Sequence, residues 1–418
     1  MLSKSEMSAV LYITYDGLLD PLGGSQILPY IYGIAQHSGP IHILSFEKKQ
    51  RFVVGKDILF AELIRRGISW HPLLFSDSAG PLGRLSKVWD MSRMYSEALR
   101  FALRYHIRIV HARSHTPAQV ALFLKRLLGI RMLFDFRGLW VDERVDKGGW
   151  DLRRFTHRWQ YRYFKAKERS LLKHADQVVV LTEAVVPEVV RLGVDIPEKI
   201  TVIPCCADFE HFILTTPERR LNTRQALGLP ASSFVLGYLG SVGQMYMLDR
   251  YLRLFELASS QRGDVYALFV TPDCDAAKEL VCTLLLPVLH NRVIIDSVQR
   301  SDVPIRLAAM DLLVSFVRPS YARMASSPTK NAEAFASGLP VICNPGVGDI
   351  EAQVIALRAG RCVDPNSDTA LEDAVKGFEG LCATGGATLR DRSRLMFDLE
   401  IAAMRYEKIY LELKKVNL

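Results

Sequence analysis

Short runs of β-branched and aromatic residues alternate with amphipathic stretches from one end of this chain to the other. That rhythm belongs to parallel sheets covered by helices on both faces, so the expected class is α/β. The first half offers strands at Val10–Thr14, Ile41–Phe46, Ile68–Leu74, Ile107–His111, Met132–Phe136, Val178–Leu181 and Ile200–Ile203. The second restarts at Phe234-Val-Leu-Gly-Tyr-Leu-Gly240 and continues with Val265–Val270, Val293–Ile295, Leu312–Phe316, Val341–Cys343 and Gly360–Val363. A helix over Ser86–Tyr105 places Val88, Met91, Met94, Tyr95, Ala98, Phe101 and Ala102 at helical spacing, a stripe expected to lie on the sheet. Two sheets imply two domains, expected at 1–205 and 232–388, with the irregular, proline-containing segment 206–231 as a linker. A last helix, about Leu389–Leu413, has no strand after it; the segment 389–418 is expected to pack back on the N-terminal domain.

The 418 residues, 49% of them hydrophobic, supply ample core for two large domains and lack the polar bias of a disordered chain. The longest apolar runs, such as Gln177-Val-Val-Val-Leu-Thr182, fall far short of the ~20 residues needed to cross a bilayer, and Met1–Glu6 opens no signal peptide, so a cytoplasmic protein is expected. The formal charge of +8 suits an anionic ligand or an anionic membrane surface. Seven cysteines without a C-x-x-C spacing point to reduced, mostly buried thiols, not to a disulfide framework or a zinc site.

In open α/β sheets ligands bind outside the carboxyl ends of the strands, and four loops there are unusual. After the first strand, Gly23-Gly24-Ser25-Gln26 is expected to form a loop that brings backbone close to a ligand, with a helix beginning near Ser25; a plain tight turn is the bland alternative. His111, Arg113 and His115 follow one strand, and Asp135, Arg137, Asp142 and Glu143 follow the next. Carboxylates and guanidinium groups so arranged can hold a hydroxylic substrate beside an anion, or can merely satisfy one another as an ion-pair cluster. The fourth loop runs from Arg318 through Ser327-Pro328-Thr329-Lys330-Asn331 to Glu333, Gly338 and Pro340. With Ser327 as N-cap and Pro328 as first helical residue, the amides of the first turn would cradle phosphate, Lys330 would add a cation, and Glu333 would accept from vicinal ribose hydroxyls. That describes a site for a nucleoside diphosphate. No G-x-G-x-x-G or P-loop pattern is present.

The sequence also resembles the glycosyltransferases of family 4. The resemblance is carried by Gly23-Gly24-Ser25-Gln26, by Asp135-Phe-Arg137-Gly138-Leu-Trp140, by Val202-Ile-Pro204 through Asp208 to Phe212, by Gly237-Tyr-Leu-Gly240-Ser241, and above all by Ser327-Pro-Thr-Lys330 leading into Glu333-Ala-Phe-Ala-Ser-Gly338-Leu-Pro340. It implies the GT-B fold, two facing Rossmann-like domains with parallel sheets and an interdomain cleft, and transfer of a sugar from a UDP- or GDP-linked donor with retention of anomeric configuration. It further implies a donor site at Gly23, Gly24, Gly240, Ser241, Arg318, Ser327, Thr329, Lys330, Asn331 and Glu333. Asp135, Lys330 and Glu333 are the candidate catalytic groups, and His111, Arg113, His115, Arg137, Asp142 and Glu143 the acceptor side. The family's frequent role in bacterial surface-polysaccharide assembly implies a glycan or lipid-linked acceptor. Two of its usual features are missing: the first of two glutamates seven residues apart falls on Ala325, and Ser241-Val-Gly-Gln244 stands where a phosphate-binding arginine is usual. Arg318 or Asn331 is expected to stand in for the first, and Lys330 to carry more of the diphosphate charge.

Three other signals are weighed beside this. Asp273-Cys-Asp275 spells a metal-binding D-x-D, but it opens a helix where aspartates are ordinary first-turn residues, so no metal or other cofactor is expected. From Asp151 to Lys173, eight basic residues face two acids, interleaved with aromatics, which fits an anionic membrane surface on the inner face of the plasma membrane or a plain solvated face; nucleic acid lacks any accompanying motif. The alternative functions on the same fold are a nucleotide-sugar epimerase and a non-catalytic nucleotide-sugar-binding protein.

Overall fold

A computed structural model describes residues 9–76 and 82–415. The chain divides into two compact units: residues 1–203 with 399–418, and residues 204–398.

In the first unit the order is β1 (Val10–Thr14), α1 (Pro21–Gln26), α2 (Leu28–His37), β2 (Ile41–Glu47), α3 (Lys49–Arg65), β3 (Ile68–Leu74), α4 (Leu82–Arg104), β4 (Ile109–Arg113), α5 (His115–Leu128), β5 (Arg131–Asp135), α6 (Trp140–Asp146), α7 (Phe155–His174), β6 (Gln177–Val180), α8 (Val186–Leu192) and β7 (Ile200–Val202). The seven strands form one parallel sheet in the order β3-β2-β1-β4-β5-β6-β7. Central strands covered on both faces read as continuous apolar runs, and every residue of β1 and β4 is buried. The order reverses between β1 and β4, so the switch point at which open sheets take their ligands lies at the carboxyl ends of those two strands.

The second unit runs α9 (Pro217–Ala226), β8 (Phe234–Leu239), α10 (Leu248–Gln261), β9 (Val265–Val270), α11 (Cys274–Leu284), β10 (Val293–Asp296), α12 (Val303–Leu307), β11 (Leu312–Ser315), α13 (Thr329–Ala336), β12 (Val341–Cys343), α14 (Ile350–Leu357), β13 (Gly360–Cys362), α15 (Asp368–Lys376), α16 (Phe378–Cys382) and α17 (Ala387–Phe397). Its six parallel strands follow the order β10-β9-β8-β11-β12-β13, which repeats the reversal between β8 and β11. The core lies on both faces of the sheet, with Phe335 of α13 and Phe255 of α10 fully buried on opposite sides. The two parallel sheets with their helical layers are the expected fold class.

The strands stand within a few residues of their expected positions; four other expectations need correction. The segment 389–418 holds two helices, α17 and α18 (Leu399–Lys415), because Asp398 takes an extended conformation between them. The division between units falls there, and α18 packs on α2 of the first unit, where Gly33 leaves room for Ala403. Residues 206–231 are part of the second unit and contain α9, whose N-cap Thr216 accepts from the Arg219 amide. Val88 of α4 is exposed while Met94, Ala98, Phe101 and Ala102 of the same stripe are buried, because the helix begins well before the sheet that covers it. Gly23 and Gly24 lie inside α1 instead of in a loop: Pro21 starts that helix, and a Cβ at Gly23 would stand 2.3 Å from the carbonyl oxygens of Gly17 and Leu18. The seven cysteines are free thiols, of which Cys205, Cys206 and Cys343 are buried and Cys282 is exposed.

Candidate functional site

Two groups of polar residues gather at carboxyl strand ends, one in each unit. In the first unit the ladder registers Arg113 of β4 beside Asp135 of β5, so a guanidinium and a carboxylate leave the sheet together at the switch point. His111, one pleat back on β4, directs Nε2 to 3.6 Å from Asp135 Oδ2, and Arg137 NH1 lies 3.7 Å from Asp135 Oδ1. Gln26, at the end of α1, accepts from Arg137 NH2 at 3.1 Å and from Arg113 NH2 at 3.5 Å, which ties the Gly23-Gly24 segment to the same cluster. Burial acts to raise the Asp135 pKa, but the Arg137 guanidinium, the His111 imidazole beside it and the Arg113 guanidinium overcome it and hold the carboxyl below its usual range. His111 is pushed below its ordinary value as well, since complete burial disfavours its cation more strongly than Asp135 favours it. The cluster therefore presents a buried carboxylate with cations on one side and a neutral imidazole on the other. Asp135 Oδ1, His111 Nε2 and Arg113 Nε are buried and have no hydrogen-bond partner within the protein, an arrangement suited to receiving a hydroxylic ligand.

Two supports of this cluster carry no sequence signal. Glu47 at the end of β2 is buried and accepts from the amides of Leu18 and Leu19 and from the Ser45 hydroxyl, so one carboxylate fixes the loop that leads to α1. Tyr410 of α18 lies with its hydroxyl 2.7 Å from His111 Nδ1, and Tyr406 stacks on the same imidazole.

Not all of the expected acceptor residues join this group. Asp142 is bound by Lys165 Nζ at 2.8 Å and by the Tyr161 hydroxyl at 2.8 Å; Lys165 also holds Glu168, which in turn pairs with His115 Nε2 at 2.8 Å. His115 and Asp142 are thus the ends of a buried ion network that fastens α7 onto α5 and α6. Glu143 pairs with Lys147 at 2.8 Å, one helical turn away. For these three the structure favours the ion-pair reading.

In the second unit α13 starts at Thr329 beyond β11, with Pro328 as its N-cap. The expected cap Ser327 is displaced by one residue: its hydroxyl accepts from the Cys205 amide at 3.1 Å instead of capping the helix. Lys330 is buried. Its Nζ makes no hydrogen bond to the protein and stands 4.6 Å from the Tyr238 ring centroid and 4.1 Å from that of Tyr246. Gly240 turns the chain after β8 beside the same atom with a φ of 132°, a backbone conformation that side-chain-bearing residues rarely adopt. Burial pushes this ammonium down to about 7, with Glu333 opposing the shift. Tyr246 reaches this place because residues 245–247 pair with 316–318, through Arg318 N–H to Met245 O and Met247 N–H to Phe316 O.

Asn331 is buried, and neither its amide nitrogen nor its amide oxygen has a partner in the protein. Glu333, one turn further on, receives Arg300 NH2 at 2.7 Å, a partner sequence reasoning missed because it arrives from the short helical turn after β10. The Ser241 carbonyl accepts from the Tyr238 hydroxyl at 2.7 Å. Arg318, expected to replace the missing glutamate, is exposed and directs Nε toward the Gln244 carbonyl at 3.4 Å, while Ala325 is buried. Asp273 accepts from the Val242 amide at 2.8 Å and Asp275 is fully exposed, so that D-x-D pair forms no cluster; among the described residues no group of three metal-ligating side chains occurs.

Two family models match this chain: the Glycosyl transferase 4-like domain over residues 58–206 and Glycosyl transferases group 1 over residues 219–379. The chain belongs to glycosyltransferase family 4. This glycosyltransferase is 24% identical over 315 residues to the D-inositol 3-phosphate glycosyltransferase of Corynebacterium urealyticum, covering 71% of this chain and 70% of that protein. Its fold is similar to a glycosyltransferase from Rickettsia africae, with a TM-score of 0.69 at 18% identity over 98% of this chain and 99% of the other. It is similar also to HepE of Anabaena, solved with UDP-glucose, with a TM-score of 0.68 at 17% identity over 97% and 99% of the two chains.

Proposed function

We propose that this glycosyltransferase moves a sugar from a UDP- or GDP-linked donor to a glycan or lipid-linked acceptor, with retention of anomeric configuration, in the assembly of a cell-surface polysaccharide. The observation that carries the donor assignment is Lys330, a buried ammonium without a hydrogen-bond acceptor, followed by the equally unpartnered Asn331 at the start of a helix. A buried cation in that condition is costly unless an anion comes to it, and the first turn of a helix adds amides and the positive end of a dipole. A nucleoside diphosphate supplies the negative charge. Glu333, held by Arg300, is then placed for the ribose hydroxyls.

In this reading the leaving diphosphate is stabilised by Lys330 and the amides, so that no metal is needed as the glycosidic bond breaks. The acceptor hydroxyl is received by Asp135, whose carboxyl is ionised and flanked by Arg137, Arg113 and His111. A fold neighbour solved with UDP-glucose supports a nucleotide-sugar donor. The test is a turnover screen of common UDP- and GDP-sugars with candidate acceptors, followed by NMR of the product's anomeric centre. Retained configuration is expected. An inverted product would remove the assignment.

A further inference from the structure

The helices that cover one face of the first sheet are longer than the strands beneath them. At 1.5 Å per residue the 23 residues of α4 span about 34 Å and the 20 of α7 about 30 Å, whereas a five-residue strand such as β4 spans about 17 Å. Both helices lead into the amino end of a strand, α4 into β4 and α7 into β6, so their first turns overhang the carboxyl edge, the edge that carries Asp135.

The overhangs are apolar on the outside. On α7, Phe155, Trp159 and Tyr163 recur every four residues, with relative exposures of 73%, 61% and 45%. Arg154, Arg158 and Arg162 form a parallel exposed stripe one position behind them. Near the start of α4, Leu85, Val88 and Trp89 are exposed beside Lys87.

A groove of about 610 Å³ runs between α4 and α5, lined by Val88, Met91, Tyr95 and Phe123 among others. Tyr95 packs edge-on against Phe123 at 5.3 Å, and α5, which carries Phe123, packs against both α4 and α7. Neither helix has an acid in its first turn. Cations at the positive end of a helix dipole weaken the helix slightly, so this pattern does not serve helix stability. The acids nearest the two helix starts are engaged elsewhere: Asp151 pairs with Arg153, and Asp90 of α4 is buried and bonded to Ser76.

We propose that the overhanging turns of α4 and α7 are a docking surface for an anionic lipid bilayer. Trp89, Phe155 and Trp159 enter the headgroup boundary, the groove takes apolar chain, and Lys87, Arg154, Arg158 and Arg162 meet lipid phosphates. Aromatic residues ringed by cations on one helix face match the interfacial membrane mode, and the charge selects anionic over neutral lipid. Docking here sets the carboxyl edge of the first sheet beside the bilayer, where a lipid-linked hydroxyl is within reach. The inference stands apart from the donor chemistry.

The test is flotation of the full chain with vesicles of phosphatidylcholine alone and of phosphatidylcholine with phosphatidylglycerol, at low and physiological salt. Binding to the anionic vesicles, weakened by salt, is expected. Replacing Arg154, Arg158 and Arg162 together by Gln should lower partitioning roughly 100-fold at low salt, and Trp89→Ser with Trp159→Ser should lower it at both salt concentrations. UDP and GDP binding, measured on each variant and on the wild type, reports the fold and the donor reading separately. Equal and negligible binding to both vesicles would overturn the proposal, as would retention of binding by both variants. A concentration-dependent dimer that these substitutions dissolve, without vesicle binding, would assign the face to a second copy of the chain instead.

Discussion

The hydroxyl of Tyr410 lies 2.7 Å from Nδ1 of His111, a contact between residues 299 apart in the sequence. It joins the C-terminal helix to the centre of the first sheet and fixes which imidazole nitrogen faces Asp135. Tyr410→Phe keeps the packed ring and removes only the hydroxyl, so it should destabilise the first unit by about 1 kcal/mol. It should also lower turnover with acceptor more than it changes nucleotide affinity. Thermal unfolding with a split of acceptor KM from donor KM checks this, and an unchanged acceptor dependence would make the contact purely structural.

The seat of that helix gives an independent handle. A Cβ at Gly33 would stand 2.7 Å from the Cβ of Ala403, so Gly33→Val should push α18 away from α2 and cost about 1–3 kcal/mol by overpacking. A Tm equal to that of the wild type would show that α18 is not held there.

Three imidazoles, two buried and one half-buried, set an acid limit on stability. His42 and His111 are held below their ordinary value by burial, and His71 is pushed down to about 4, first by its partial burial and then by His42, which it faces at 3.3 Å, and by Arg100 and Arg104. A depressed histidine means that the unfolded chain binds more protons, so stability is fully present above the unfolded pKa of about 6.5 and is lost as pH falls below it. For His71 the loss continues down to its folded value of about 4. Tm should therefore fall between pH 6.5 and 4, and His71→Phe should flatten that slope. A Tm independent of pH in this window would contradict the burial account.

Lys330 makes donor binding pH-dependent. With a value of about 7 in the ligand-free protein, only about one-tenth of it is charged at pH 8, and a bound diphosphate recharges it. Donor affinity should weaken above pH 7 by at most about tenfold per unit, and calorimetry in buffers of different ionisation heat should show proton uptake near pH 8. Lys330→Ala should abolish the uptake and lower turnover on the order of 100-fold. Tyr246→Leu removes one face of the aromatic enclosure and should weaken donor binding several-fold, whereas Tyr246→Phe should retain it. Glu333→Ala and Arg300→Ala should both raise donor KM more than they lower kcat.

The strands and their order of appearance were legible in the sequence because a parallel sheet covered on both faces needs contiguous β-branched runs, and these are local. That Lys330, Asn331 and Glu333 open a helix was legible too, since an N-terminal helical turn is a local object. What local pattern does not carry is the partner from afar: Arg300 on Glu333, Tyr410 on His111, and Glu47 on the amides after β1. His115 and Asp142 looked like site residues for the same reason, because Lys165 and Glu168, which occupy them, stand more than twenty positions downstream. Val88 fits the helical stripe by spacing and is exposed only because α4 outruns its sheet.

The central claim is transfer of a sugar from a nucleotide donor held at α13. Its most direct measurement is release of free nucleoside diphosphate from UDP- and GDP-sugars, with and without added acceptor, for the wild type and for Lys330→Ala and Glu333→Ala. Release that depends on acceptor, persists in EDTA and collapses in both variants is the result predicted. Acceptor-independent release, loss of turnover in EDTA with recovery on adding Mg²⁺ or Mn²⁺, or near-normal activity of both variants at limiting and saturating donor would contradict it.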